Sequence, residues 1–200
     1  MIVRSTPPVN LGTHSLLSTP ELMFVQYMPV RMPGTDVRIP PNLQCFKPLV
    51  DVSGYYEDEY VYLTAKHIFV TPDNPGNRPG WHIDGYGTTD INLIWYSSMP
   101  TEFCVQDFNL WEDHEGAMRD MEQQAKPENI KTYPPGSLLI LTNKIVHRTA
   151  ECKEGHYRTF VKISLSKDQY NLKGNAHNYL FDYSWNMVER GETRNHTTHK

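Results

Sequence analysis

The chain has 200 residues, 38% of them apolar and 21% charged, with a formal net charge of −4. That is an ordinary globular composition, and the length favours reading 1–200 as one domain. The acidic balance argues against a broad electrostatic footprint for nucleic acid, and no run of ~18 apolar residues announces a membrane-spanning helix.

The opening "MIVRSTPPVNLG" lacks the apolar stretch of a secretory signal, so a cytoplasmic location is the default expectation. Cys45, Cys104 and Cys152 are widely spaced and form no CxxC. Zinc-ribbon and thioredoxin-like readings therefore drop out, and three reduced, inert thiols are expected. The "NHT" at Asn195 is only formally a glycosylation acceptor without a signal.

In chain order, "LLSTPELMFVQYM" reads as a short helix or a strand, with Ser18 or Thr19 able to cap and Pro20 at the first helical position. "LQCFKPLVDV" and "EYVYLTAKHIFVT" read as strands. In the second, Tyr60, Tyr62, Thr64 and Lys66 share one face, opposite Val61, Leu63 and Ala65. "PDNPGNRPG" is dense turn punctuation. The strand "WHID" is expected next, then "DINLIWYSSM" and "TEFCVQDF". Residues 112–126 are good helix formers without a β-branched residue, anchored by Met118 and Met121 and ended by Pro127. "SLLIL", "KIVHRTA" and "HYRTFVKISLS" supply further strands. The C-terminal "NYLFDYSWNMVERG" reads as a helix or an extra strand packing outside, and "RNHTTHK" as a disordered tail. Many short strands around one helix favour a double-sheet jelly roll or barrel. An immunoglobulin-type sandwich is the runner-up, but its Cys…Trp…Cys spacing is absent.

On a strand, His82 and Asp84 point the same way, with Trp81 and Ile83 opposite. His147, just after "SLLIL", is a third candidate ligand. Two imidazoles and one carboxylate on one face of a metal leave positions open, which is the arrangement of non-haem Fe(II) oxygenases.

With "HxD" at His82 to Asp84, an apolar strand leading to His147, and Arg158 eleven residues on, the chain resembles the Fe(II)/2-oxoglutarate-dependent dioxygenases over about residues 65 to 165. The resemblance implies a mainly β fold, a double-stranded β-helix of the jelly-roll, cupin-like type with a few peripheral helices. Its core would run from about 40 to 170, with both termini packing outside. It implies Fe(II) on His82, Asp84 and His147, and 2-oxoglutarate and O₂ as cosubstrates. The activity would be hydroxylation of an organic substrate with release of succinate and CO₂. A basic residue on the last core strand would pair with the distal carboxylate of 2-oxoglutarate. Many members carry Arg-x-Ser there. Here Arg158 is followed two on by Phe160, while Lys162 and Ser164 fit Lys-x-Ser. Arg158 is preferred, because a planar guanidinium grips a carboxylate bidentately. Lys162 then becomes a second anion contact, and Tyr62 a hydroxyl donor to the cosubstrate.

The remaining residues have blander assignments. Arg148 points away from His147 and suits a structural ion pair. His67 suits a satisfied histidine. Trp81 suits the core behind the metal, while Trp95 and Tyr96 are candidates for a pocket lining, and Arg78 and Asp90 lie on loops that could carry specificity. A small molecule or a protein side chain is a better substrate than duplex nucleic acid, although a single extruded base fits such a site too. The competing classes are a non-oxidative, cupin-like metal- or ligand-binding module and a metal enzyme that does not use 2-oxoglutarate.

Overall fold

Three long runs of alternating apolar residues organise the chain, and a computed structural model describes residues 1–190. The strands are β1 (Ile2–Arg4), β2 (Val9–Thr13), β3 (Met23–Arg31), β4 (Tyr60–Val70), β5 (Ile91–Tyr96), β6 (Thr101–Cys104), β7 (Asp107–Asn109), β8 (Ile130–Lys131), β9 (Ser137–Leu141), β10 (His147–Thr149) and β11 (His156–Ser166). Helix α1 (Lys47–Val52) follows a 3₁₀ turn at Pro41–Phe46, and α2 (His114–Gln124) precedes another at Pro127–Asn129. The chain is therefore mainly β with few helices. No helix among the described residues is long and apolar enough to cross a membrane.

A six-stranded antiparallel sheet runs in the order β2-β9-β5-β11-β4-β3, and a smaller one in the order β10-β6-β8. Strand periodicity splits the large sheet into two faces. Val61, Leu63, Ala65, Leu93, Trp95, Val161, Ile163 and Leu165 bury on one, against Leu43, Phe46, Leu49 and Val50 of the α1 segment. On the other, Ile94, Tyr96, Leu139, Leu141 and Phe160 meet Phe103 and Ile145 from the smaller-sheet side. Register then sets which polar residues share that inner face. Lys162 lies between Thr64 and Ile94, Phe160 between Lys66 and Tyr96, and Ser164 between Tyr62 and Asn92.

Four local expectations are corrected or resolved. "LQCFKPLVDV" is not a strand. Pro41 opens a 3₁₀ turn, Pro48 cannot donate to a ladder, and the buried Leu43, Phe46, Leu49 and Val50 recur at helical spacing. "WHID" is not a regular strand: His82 makes a single bridge to His147, and a turn begins at Asp84. Within "NYLFDYSWNMVERG", residues 178–190 are neither helix nor strand apart from a one-residue bridge between Leu172 and Val188. Its rings dock instead, Trp185 packing edge-on against Tyr60 and Tyr183 lying beside Trp185. The ambiguous N-terminal segment joins the strand β3 from Met23 onward, while Ser18, Thr19 and Pro20 precede it outside any helix or strand. Helix α2 forms where expected, shortened at both ends. The Asp113 carboxylate caps it by accepting from the Gly116 amide at 2.8 Å, a favoured N-cap arrangement, and Met121 is its buried anchor. All three cysteines are free and buried. Asn195, His196 and His199, with the rest of the tail beyond 190, lie outside the described residues.

Candidate metal centre

The bridge that replaces a longer strand brings the two histidines side by side. The His82 amide donates to the His147 carbonyl at 2.9 Å, and the His147 amide returns the bond at 2.9 Å. The imidazole centroids are 4.5 Å apart. His82 Nδ1 lies 3.0 Å from the Gly80 carbonyl, and His147 Nδ1 lies 2.9 Å from the Ile145 carbonyl. A carbonyl only accepts, so each Nδ1 carries a proton, and Nε2 is the atom whose lone pair a neutral ring offers to a metal. This second hydrogen bond is the usual way of orienting a histidine ligand.

Asp84 starts the turn that follows. Gly85 adopts φ +68°, and a Cβ there would come within 2.9 Å of Thr88 Oγ1 and 3.3 Å of Asp90 Cβ. Glycine is thus required for the turn that delivers Asp84. One ligand atom from each of His82, Asp84 and His147 lies within 4.8 Å of the others, and His147 Nε2 is 3.7 Å from Asp84 Oδ2.

Lys162 faces this group from β11. Its ammonium donates to Asp84 Oδ2 at 3.2 Å and to the Tyr27 hydroxyl at 2.9 Å. Tyr27 sits at an irregularity in the β3 register, with φ +45°. That conformation is uncommon for a bulky residue, and bulges of this kind re-aim side chains.

Electrostatics favour the ligand forms. Burial pushes His82 down to about 4, helped by the neighbouring His147, so its imidazole is neutral near pH 7. Burial alone would raise Asp84, but the Lys162 ammonium outweighs it and holds the carboxyl well below its ordinary value. Burial alone would lower Lys162, but Asp84 and then Tyr27 raise it. The donor set, two imidazoles and one carboxylate, fits a divalent first-row ion with positions to spare.

A cavity of about 1320 Å³ opens over the three residues. Thr64, Lys66, Ile94, Phe160 and Lys162 form part of its sheet wall, and Tyr27, Arg78, Asp90 and Tyr170 line it from elsewhere. Arg158 does not line it, whereas Phe160, whose ring centroid is 5.1 Å from the guanidinium carbon, does. Arg158 is buried and donates to the carbonyls of Ser98 at 3.1 Å and Met99 at 3.3 Å. Burial lowers it to about 10. Among the described residues no carboxylate lies within 4 Å of it.

Tyr62 is not brought to the cavity. It is fully buried, donates to the Asp168 carbonyl at 2.9 Å, accepts from the Tyr170 amide at 2.9 Å, and stacks on the Tyr170 ring. Trp95 and Tyr96 also stay in the core, donating to the carbonyls of His14 and Tyr133. Trp81 is buried, with the Arg148 guanidinium 4.4 Å from its ring centroid. Arg148 pairs with Glu102 at 2.7 Å, and His67 meets Thr159 Oγ1 at 2.8 Å. Several cavity residues escaped the sequence reading, Lys66 and Tyr27 among them. Lys66 carried a signal, as the one cation on the inward face of its strand. Tyr27 carried none, because its position depends on a bulge.

No family model matches the chain, and no curated protein sequence matches it.

Proposed function

We propose that this protein is an Fe(II)- and 2-oxoglutarate-dependent oxygenase that hydroxylates an organic substrate. The observation that carries the reading is the convergence of His82, Asp84 and His147, with each imidazole Nδ1 bonded to a carbonyl, on the floor of a wide cavity. Chain order supports a double-stranded β-helix behind it. Starting at β4, successive segments fall alternately in the large sheet and on the smaller-sheet side: β4, the His82 bridge, β5, then β6 and β8, then β9, β10 and β11. The two histidines lie next to each other because their segments are neighbours in that second layer.

Bound Fe(II) would supply the redox chemistry that activates O₂ at the expense of 2-oxoglutarate. The chain's own residues hold and tune that ion. His82 and His147 give imidazole donors fixed by carbonyls, and Asp84 gives the one anionic donor. Lys162 limits the charge that Asp84 places on the metal. Arg158, which lies outside the cavity wall with the Phe160 ring against it, is the preferred partner for the distal carboxylate of 2-oxoglutarate and would reach it once that ring turns aside. It is a buried cation without an acid, which calls for an anion. Lys162 touches a ligand carboxylate and so stands at the metal end of the cosubstrate. Phe160, beside Arg158 on β11, gives the methylene chain an apolar surface. A small molecule or protein side chain remains the favoured substrate.

Aerobic incubation with Fe(II) and 2-oxoglutarate tests the reading. Slow succinate formation is expected even without substrate, and His147→Ala should abolish it. Equal succinate formation by His147→Ala would overturn the assignment.

A further inference from the structure

Lys66 is a cation that the metal site does not use. It stands on the cavity wall, one strand over from Phe160 in the ladder. Its ammonium donates only to neutral atoms, the Gly76 carbonyl at 2.6 Å and Asn77 Oδ1 at 3.3 Å, and lies 4.7 Å from the Phe24 ring centroid. No carboxylate lies within 4 Å of it among the described residues. Asp90, an acid elsewhere in the cavity, is engaged by the Tyr170 hydroxyl.

The loop facing Lys66 is pinned in place. Gly76 adopts φ +74°, and a Cβ there would come within 2.6 Å of Ile68 Cδ1. The Asn74 side chain accepts from the Gly76 amide at 3.3 Å. Lys66 is thus held by a rigid turn against an aromatic ring, with its charge unmet.

Lys66, Arg158 and Lys162 are all on the inner face of β4 and β11, and Asp84 is the acid that acts on Lys66. Lys162 takes up Asp84 at 3.2 Å and Asp90 is held elsewhere in the cavity by Tyr170, so the Lys66 ammonium has no close acid, and a cation partly withdrawn from water among neutral acceptors calls for a counter-ion. Burial, then Lys162 and Arg158, already push Lys66 down to about 8.

We infer that Lys66 and the Gly76–Asn77 turn form an anion subsite, and that the substrate is an organic anion whose carboxylate, sulfonate or phosphate docks there. The substrate assignment rests on the oxygenase reading, but the subsite does not. Reorientation of the Asn77 amide would add a second donor to the anion.

The test measures binding to the metal-free full chain by calorimetry, using butane-1-sulfonate and butyl phosphate against butan-1-ol. Both anions should bind at least about tenfold tighter than the alcohol, as one charge-assisted hydrogen bond allows. Lys66→Met should remove that advantage and Lys66→Arg should keep most of it, with both variants checked for folding by melting temperature. Anaerobic titration of 2-oxoglutarate into the Fe(II) protein should change less than about threefold in Lys66→Met. Equal binding of alcohol and anions, or anion binding by Lys66→Met at wild-type strength, would overturn the subsite. So would a loss of 2-oxoglutarate affinity as large as the loss of probe affinity, which would place Lys66 in the cosubstrate site. Probe binding that depends on Lys66, without any 2-oxoglutarate binding, would support the subsite and sink only the oxygenase reading.

Discussion

Lys162→Met separates the two demands on Asp84. In the metal-free protein the ammonium is 3.2 Å from Asp84 Oδ2, with only 10% and 23% of the two side chains exposed. Unit charges ~4 Å apart interact by about 4 kcal/mol at an effective dielectric of ~20. Deleting one member of a buried pair costs ~3–5 kcal/mol, because the other charge is left behind. The Asp84 side chain keeps some solvent, 23% of it being exposed, so the lower end applies, about 3 kcal/mol. For a chain of this size that is a drop of roughly 5–10 °C in melting temperature. The same substitution removes a positive charge beside the metal position, so Mn(II), a redox-quiet stand-in, should bind about tenfold tighter. At a hundredfold excess over its dissociation constant, Mn(II) should return ~2.7 kcal/mol of stability to the variant. Urea unfolding with EDTA and with Mn(II) reads both effects. A variant as stable as the wild type in EDTA, or one that binds Mn(II) more weakly, would refute the reasoning.

Three further outcomes follow from the same geometry. His82 titrates near 4 in the folded protein and near 6.5 unfolded. Between those values the unfolded chain binds a proton that the folded chain does not, so acidification favours unfolding. The full shift corresponds to ~3 kcal/mol, and the half-buried state of the ring trims it to about 2 kcal/mol. Asp84 is held low and adds its loss only below the carboxylate range. Metal-free stability should therefore fall from pH ~6.5 to ~4, and His82→Gln should flatten that slope. A wild-type profile flat across this window would contradict the burial argument. Tyr62→Phe deletes a hydroxyl with two buried partners, so it should cost about 1–2 kcal/mol in urea unfolding and leave 2-oxoglutarate affinity within about twofold. Arg158→Gln should weaken that affinity at least about tenfold, and the reverse ranking would move the cosubstrate contact to Tyr62.

Much of the centre was legible because it depends on residue type and spacing. His82, Asp84 and His147 could be named from one HxD and one distant histidine, and Lys162 from the alternation of β11. The strands were legible where one face is apolar, as in β4 and β11. The α1 segment was misread because a short apolar run fits a strand or a buried helix equally, although its two prolines argued for the helix. "WHID" was misjudged in length, since a one-residue bridge satisfies the same parity as a strand. Arg158 shares parity with Lys162, but parity gives the face and not the depth. Nothing in "YRTFVKISL" says that the guanidinium reaches the Ser98 and Met99 carbonyls while the ammonium reaches Asp84. Tyr27 depends on a left-handed residue inside a strand, which no pattern of hydrophobicity encodes.

The central claim is that His82, Asp84 and His147 hold one Fe(II) with room for 2-oxoglutarate beside it. Anaerobic titration of Fe(II) into the protein with 2-oxoglutarate, followed by visible absorption, tests it directly. The account predicts a charge-transfer band that saturates at one Fe(II) per chain, requires 2-oxoglutarate, and disappears in His82→Ala and His147→Ala. No band in the wild type, or a band unchanged in those variants, would contradict it.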